Sequence, residues 1–246
     1  MNLFEFTRHK FLTLTIASHL ALVYVLIFGT IWQIIAMFAM FSFIITVAST
    51  ATYHRLLSHR AWPAPRWFEI FGTLLGVLSF TGTSITRTVI HRYHHSFTDT
   101  PKDPHSPVVL GIFGTYFPML QEDKKFDLRV VADLLRDPFH RNLHRYYFLI
   151  LLMFLIMMAL IFSFPWFLAL FVAPGALCWM NISICNIFCH LGKEEQIVNS
   201  KLLAILTFGE GWHKYHHDNP NEADFGQGRW DPGFWVVRLF SKKDAK

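Results

Sequence analysis

His91-Arg92-Tyr93-His94-His95 is the stretch from which the rest of this chain can be read. Histidines at i, i+3 and i+4 project from one face of a helix, because 3.6 residues per turn brings those positions together. Three imidazoles on one face invite a metal ion, neutral imidazole being the commonest nitrogen ligand. The same spacing returns at His213-Lys214-Tyr215-His216-His217. A further pair, His54 and His59, follows a long apolar segment, and Asn186 and His190, four apart on one helical face, close another.

Between these clusters the chain is too apolar for an ordinary soluble domain: of 246 residues, 53% are hydrophobic and 17% aromatic. Four stretches, about 11–29, 31–50, 146–164 and 165–189, contain no Lys, Arg, Asp or Glu. Each is long enough to cross a hydrocarbon core of roughly 30 Å. Gly29-Thr30 and Phe164-Pro165 then serve as tight turns, which predicts two helical hairpins. All 22 Lys/Arg and all 17 Asp/Glu fall in three pieces: the N-terminal tail, 51–145 and 191–246. Four crossings put those pieces on one side, and the positive-inside rule makes that side cytoplasmic, both termini included. Four buried helices of a soluble core would leave that segregation unexplained. The expected fold is an all-α integral membrane protein, one domain over 1–246. Four transmembrane helices in two hairpins support a cytoplasmic helical cap (51–145 with 191–246) that carries the histidines.

The net charge of +5 suits anionic lipid headgroups. It does not suit nucleic acid, because acids are interspersed among the basic residues and no stripe forms. The first apolar run lacks a small-residue cleavage site and reads as a retained helix, entered from an interfacial tail at 2–10. Cys178, Cys185 and Cys189 all lie in the fourth apolar segment, where small core residues are expected, not disulfides.

Some elements are less regular. On a continuous α-helix His54 and His59 are about 140° apart, so the helix is expected to end or bend between them, with Ala61-Trp62-Pro63-Ala64-Pro65 breaking it just afterwards. The apolar stretch 67–82 carries Glu69 and three glycines. A fifth crossing there would separate the two histidine clusters, so it is expected to lie on or dip into the leaflet. The patch 108–120 is too interrupted to span. His140 and His144, among Arg136, Arg141 and Arg145, are expected on a solvated or headgroup-facing surface. His19, alone in the first helix, is expected to hydrogen-bond a neighbouring helix. Asp231-Pro232-Gly233 opens a short amphipathic tail.

His54, His59, His91, His94, His95, His190, His213, His216 and His217 exceed what one metal can use, since six ligands complete an octahedron. Two metals sharing them is the economical reading. Structural zinc would normally add thiolates, and the clusters contain none. Asp99, Asp103, Glu210 and Asp218 flank the clusters and are candidates to accept hydrogen bonds from the imidazole N–H groups. Their plain alternative is an ordinary surface role.

His54-x4-His59, His91-x2-His94-His95 and His213-x2-His216-His217, together with four crossings, resemble the three histidine boxes of the membrane fatty acyl desaturases. The flanks His54–Arg60, Asp103-Pro104-His105, Asn186-x3-His190 and Gly209-Glu210-Gly211-Trp212-His213 are similar to the Δ9 acyl-CoA and acyl-lipid branch, the stearoyl-CoA desaturase-like one. The resemblance implies two iron ions on the nine histidines, with Asn186 near one of them through water. It implies O2 as co-substrate, a fatty acyl-CoA or acyl-lipid substrate, and a cis double bond made by removing two hydrogens from adjacent methylenes. An unactivated methylene has no polar handle, so an apolar tunnel must fix chain depth. No His-Pro-Gly-Gly haem signature follows the third box. Electrons are therefore expected from a separate carrier of cytochrome b5 or ferredoxin type.

Two other functions share these features. A membrane hydroxylase or ketolase would use the same metals and leave an alcohol or ketone. A histidine-rich metal transporter would need polar groups along its helices, and the four segments carry no charge. One departure from the animal acyl-CoA enzymes concerns substrate: they place Trp-x-Arg-Asp before the second box, where this chain has Arg87-Thr88-Val89-Ile90. Arg87 lies one turn before His91 on the same face. A guanidinium there is costly unless it meets an anion, so it is a candidate for the substrate's headgroup, against a plain surface or lipid partner.

Overall fold

The structure is a computed structural model that describes residues 8–121, 125–191 and 197–242. The N-terminal tail at 2–7 and the basic end at 243–246 lie outside the described residues. The described chain is helical throughout, with no strand. Four helices are long and apolar enough to span a membrane: α1 (Arg8–Phe28), α2 (Ile31–Ser58), α7 (Pro138–Ile161) and α8 (Phe164–His190). The remaining helices are α3 (Arg66–Gly76), α4 (Ser84–Ser96), α5 (Pro107–Tyr116), α6 (Ala132–Arg136), α9 (Lys201–Leu206), α10 (His213–Asp218) and α11 (Pro232–Phe240).

The spans show their outer faces in their side chains. Leu20, Phe28, Trp32, Ile161 and Leu160 are all exposed, the last at 83%. Water would not tolerate so continuous an apolar surface, and lipid does. Inward, Ala21, Leu22 and Val25 of α1 meet Ala169, Val172, Ala173 and Ala176 of α8. Small residues let these two backbones approach, which is how membrane helices gain dispersion without a hydrophobic force between them. Thr30 caps α2 through a reciprocal bond with Gln33. The second hairpin turns at Phe162-Ser163, two residues earlier than the expected Phe164-Pro165.

Both inner spans outrun their apolar stretches and carry histidines past the membrane. From Ile44 to Ser58, α2 widens into a π-helix. The backbone N–H of His59 donates to the carbonyl of His54 at 3.1 Å. The hydroxyls of Thr52 and Ser58 likewise reach back five residues, to Val47 and Tyr53, each at 2.8 Å. This overturns the expected end or bend between His54 and His59. A ladder of i→i+5 bonds stacks residues five apart, so both imidazoles share a face without interruption.

Helix α3 is amphipathic, burying Phe68 and exposing Trp67, Phe71 and Leu74. It breaks after Val77–Ser79 and meets α4 at 86°, so the pair is not one straight crossing. Helix α3 approaches α2 closely: a Cβ on Gly76 would stand 2.4 Å from the Tyr53 ring. His140 is a correction. It is buried at the foot of α7, with Ser84 Oγ at 2.9 Å and Glu69 Oε1 at 2.8 Å. His144 meets Thr83 Oγ1 at 2.8 Å. The pair ties α7 to α3 and α4; the arginines beside them in sequence point elsewhere, since helix neighbours in sequence do not share a face. His19 bonds Tyr116 of α5 at 2.7 Å. The three cysteines are free and buried.

Gly76→Val is expected to destabilise the detergent-solubilised protein by about 1–3 kcal/mol through overpacking against Tyr53. Leu160→Ala, on the lipid face, should leave the melting temperature unchanged; equal melting of both variants would contradict the packing.

Candidate metal centre

The nine imidazoles converge in two groups. His54, His59, His91, His95 and His216 form one, and His94, His190, His213 and His217 the other, with ring nitrogens in each group within 4.8 Å of one another. Each HxxHH cluster is divided. Helix α4 gives His91 and His95, one turn apart, to the first group and His94 to the second. Helix α10 does the reverse, giving His213 and His217 to the second and His216 to the first. The expectation that each triplet faces one way is thus refined: the i, i+4 pair and the middle histidine diverge enough to serve adjacent centres. His95 and His217 stack across the divide at 4.2 Å.

Carboxylates orient three of these rings. His54 Nδ1 donates to Glu210 at 2.5 Å, His94 Nδ1 to Asp103 at 2.8 Å, and His190 Nδ1 to Asp99 at 3.0 Å. An ionised carboxylate can only accept, so the proton sits on Nδ1 and Nε2 turns its lone pair inward. Asp103 is itself fixed by the backbone N–H groups of Asp99 and His105, each at 2.9 Å. Burial would raise Asp99's carboxyl, but His190 and Ser106 offset it and hold it below the usual range. Asp218, the fourth flanking carboxylate, is a correction: it is exposed and pairs with Lys214 at 2.9 Å, one turn back on the outer face of α10.

Two arginines missing from the sequence-derived site hold the frame. Arg55, next to His54, is fully buried. It donates to Glu210 at 2.6 Å, to both oxygens of Asp231 at 2.9 Å and to the Ala223 carbonyl at 2.9 Å, and it covers the Phe225 ring at 3.7 Å. Burial raises the Asp231 carboxyl against the pull of Arg55; for Glu210, burial is more than offset by His54 and Arg55, and its carboxyl is lowered. Gly209, at φ +102°, leaves no room for a side chain: a Cβ would stand 2.2 Å from Asp231 Oδ1. That close approach sets Glu210 beneath His54. Arg92, next to His91, caps α2 by donating to the Leu57 and Ser58 carbonyls at 2.7 and 2.9 Å, and forks onto Asp133. Arg92 and Arg60 together hold the Asp133 carboxyl down at about 2 against its burial. The signal available in sequence was a charge immediately after each first histidine, where an apolar helix emerges.

The donor set fits metal ions. Burial first, then neighbouring imidazoles, holds His59, His91, His213, His216 and His217 well below the usual histidine range, and His95 at about 2. The rings are therefore neutral and offer lone pairs. Facing Nε2 atoms stand 2.6 Å apart in His59–His91, 3.0 Å in His54–His216 and His190–His213, and 3.2 Å in His94–His217. Two ligands at right angles on one ion, each about 2.1 Å away, are about 3.0 Å apart. Converging lone pairs repel unless a cation lies between them. Asn186, four residues before His190, is buried and gives its amide to the His105 carbonyl.

Beside the histidines lies a partly open cavity, and next to it a larger, mostly apolar one. Few of the chain's many aromatic residues line the larger: Phe11, Phe126 and Trp179 do, with Ile90, Leu110 and Ile182.

Four candidate spans and a buried, all-imidazole centre able to hold two metal ions define a membrane protein of the histidine-rich dimetal class. The family model for fatty acid desaturases matches residues 29–223, and the chain belongs to that family. It is similar to an sn-2 palmitoyl-lipid 9-desaturase of Nostoc, 31% identical over 205 residues covering 76% of this chain and 70% of that one. It is 30% identical to a Delta-9 acyl-lipid desaturase of Arabidopsis thaliana, over 77% of this chain and 66% of that one. An acyl-CoA 5-desaturase of Anemone leveillei is also 30% identical, over 78% and 63%. The chain spans about 63–70% of the length of these relatives.

Arg55→Gln, which strands two carboxylates in a buried site, should destabilise the protein by about 3–5 kcal/mol, with Arg55→Lys intermediate. Unfolding of purified variants measures this; a wild-type melt for Arg55→Gln would remove the residue from the frame. Asp103→Asn should weaken metal binding about 10–100-fold while leaving the fold intact, read by metal retention against a chelator.

Proposed function

We propose that the protein is an oxygen-dependent di-iron desaturase that places a cis double bond at the Δ9 position of a saturated acyl chain carried by CoA or lipid. The observation that carries this reading is the pair of imidazole groups, five and four, beside a cavity that adjoins a larger apolar one, in a chain of the desaturase family. His54, His59, His91, His95 and His216 would hold one iron. His94, His190, His213 and His217 would hold the other, with Asn186 reaching it through water. Iron supplies O2 activation and the abstraction of unactivated hydrogens, which no side chain can do.

The chain's own residues do the rest. Glu210, Asp103 and Asp99 keep three rings in one tautomer, so that Nε2 of each remains a ligand. The π-helical end of α2 and the Arg55 and Arg92 clamps hold the ring positions rigid, as pre-organisation requires. The cavity receives an alkyl chain and excludes water from the reacting methylenes. By the positive-inside rule the metal centre and both termini face the cytoplasm.

Expression in a host without its own desaturase, with mass spectrometry of free, CoA-bound and lipid-bound acyl chains, should yield a new monounsaturated species. Derivatisation locates its double bond. An alcohol or ketone would sink the desaturase reading in favour of a hydroxylase or ketolase. Metal analysis after iron-replete expression should give two irons per chain, with zinc competing after overexpression because nitrogen sites favour Zn over Fe(II). Full activity with one equivalent would remove the two-metal reading.

A further inference from the structure

Spacing along the chain puts no thiol in a histidine cluster, and the fold brings two to one. His54, His94 and His190 each turn Nδ1 to a carboxylate. His213 Nδ1 instead faces the sulfur of Cys185 at 4.0 Å, and that sulfur lies 3.9 Å from the sulfur of Cys189. A neutral thiol is a weak acceptor, so it does little to hold the ring. Cysteines four apart on α8 share one face, which sets both sulfurs beside His213. Both are buried, and both lie away from Cys178, which packs against Phe41, Ile44 and Ile45.

The three atoms have the spacing of a metal site, each within 4.8 Å of the other two. Two thiolates about 2.3 Å from one zinc ion, at about 120°, stand about 4.0 Å apart, and a thiolate and an imidazole nitrogen about 3.8 Å. A disulfide would need the sulfurs about 2.05 Å apart, roughly half the separation found. Thiolates select soft cations, which the imidazole groups by themselves do not. Binding releases both thiol protons to solvent, and two thiolates then balance a divalent charge. A filled site without net charge suits burial. Cys185 and His213 line the partly open cavity beside the histidines, together with Asn181, Asn186 and Glu210, which gives an ion its way in. Glu210 is already engaged by His54 and Arg55, so sulfur and not carboxylate sets the preference.

We infer that Cys185, Cys189 and His213 Nδ1 form a site for one thiophilic divalent cation, of the class of zinc and cadmium, and that filling it draws His213 out of the second imidazole group. Nε2 of His213 faces Nε2 of His190 and of His217 at 3.0 and 3.2 Å. A neutral imidazole has one in-plane lone pair. It serves the sulfurs through Nδ1 or the group through Nε2, not both. The site stands apart from the acyl-substrate reading and competes with whichever ion that group holds.

The test titrates Cd2+ into reduced, full-length protein in detergent after iron-replete expression. It reads the ultraviolet cadmium–thiolate absorption, the cadmium bound, and the iron retained after desalting. Wild type and Cys178→Ala should show the absorption, saturating at about one cadmium per chain, with about one iron released for each cadmium bound. Cys189→Ala and Cys185→Ala should lose most of the absorption, and iron release should then need about tenfold more cadmium or above. Absence of the absorption from wild type overturns the inference and leaves the two thiols as packed core groups. So does an absorption that survives in full in Cys189→Ala or vanishes in Cys178→Ala. Iron released equally from wild type and Cys189→Ala, or retained in full beside filled thiolates, overturns the competition for His213. Should the alanine variants fail to fold, Cys189→Ser and the wild-type titration decide. If the purified protein carries no iron, the di-iron reading fails, while the thiolate absorption still decides this site.

Discussion

Lone pairs aimed at one another repel, and this fold holds nine imidazoles in that arrangement. Everything near the site serves that constraint. The rings cannot relieve the repulsion by turning, because carboxylates fix Nδ1 of His54, His94 and His190. His59, His91, His95, His213, His216 and His217 cannot relieve it by protonation either, because burial and mutual repulsion disfavour the charged form. Only a cation between them satisfies the geometry, which is why so apolar a chain carries so polar a centre.

Holding the rings requires a rigid support where membrane helices meet the cap. Arg55 supplies one part of it, pinning the π-helical end of α2 to the loops that carry Glu210, Asp231 and Ala223. Arg92 supplies another, tying α4 to the last carbonyls of α2. Each follows a histidine in sequence, so the same short stretch delivers a ring inward and a guanidinium to the frame behind it. A buried arginine is tolerable here because its donors are taken up by oxygens on several segments. Arg87 stands apart from both, on the wall that the two cavities share.

The spans contribute little chemistry and much placement. Close α1–α8 packing through small residues, and the approach of Gly76 to Tyr53, set how far α2 and α8 project beyond the apolar layer. The histidines at their ends then stand within reach of α4 and α10. The buried His140, bonded to Ser84 and Glu69, anchors the otherwise lipid-facing α7 to the same platform.

The sequence by itself determined the four spans, the charge segregation, the nine histidines and the family, because hydropathy over a membrane's thickness and repeated i, i+3, i+4 spacing are local signals. It also pointed to Asp99, Asp103 and Glu210 by proximity, and, wrongly, to Asp218 by the same argument. Tertiary structure alone decided the rest. Whether His54 and His59 share a face depends on a backbone ladder of i→i+5 bonds that periodicity arguments assume away. Which histidine joins which group depends on how α4 and α10 cross, since each cluster splits between two centres. The burial of His140, the roles of Arg55 and Arg92 and the place of Arg87 between two cavities arise from partners far away in the chain, and no spacing along one segment encodes those.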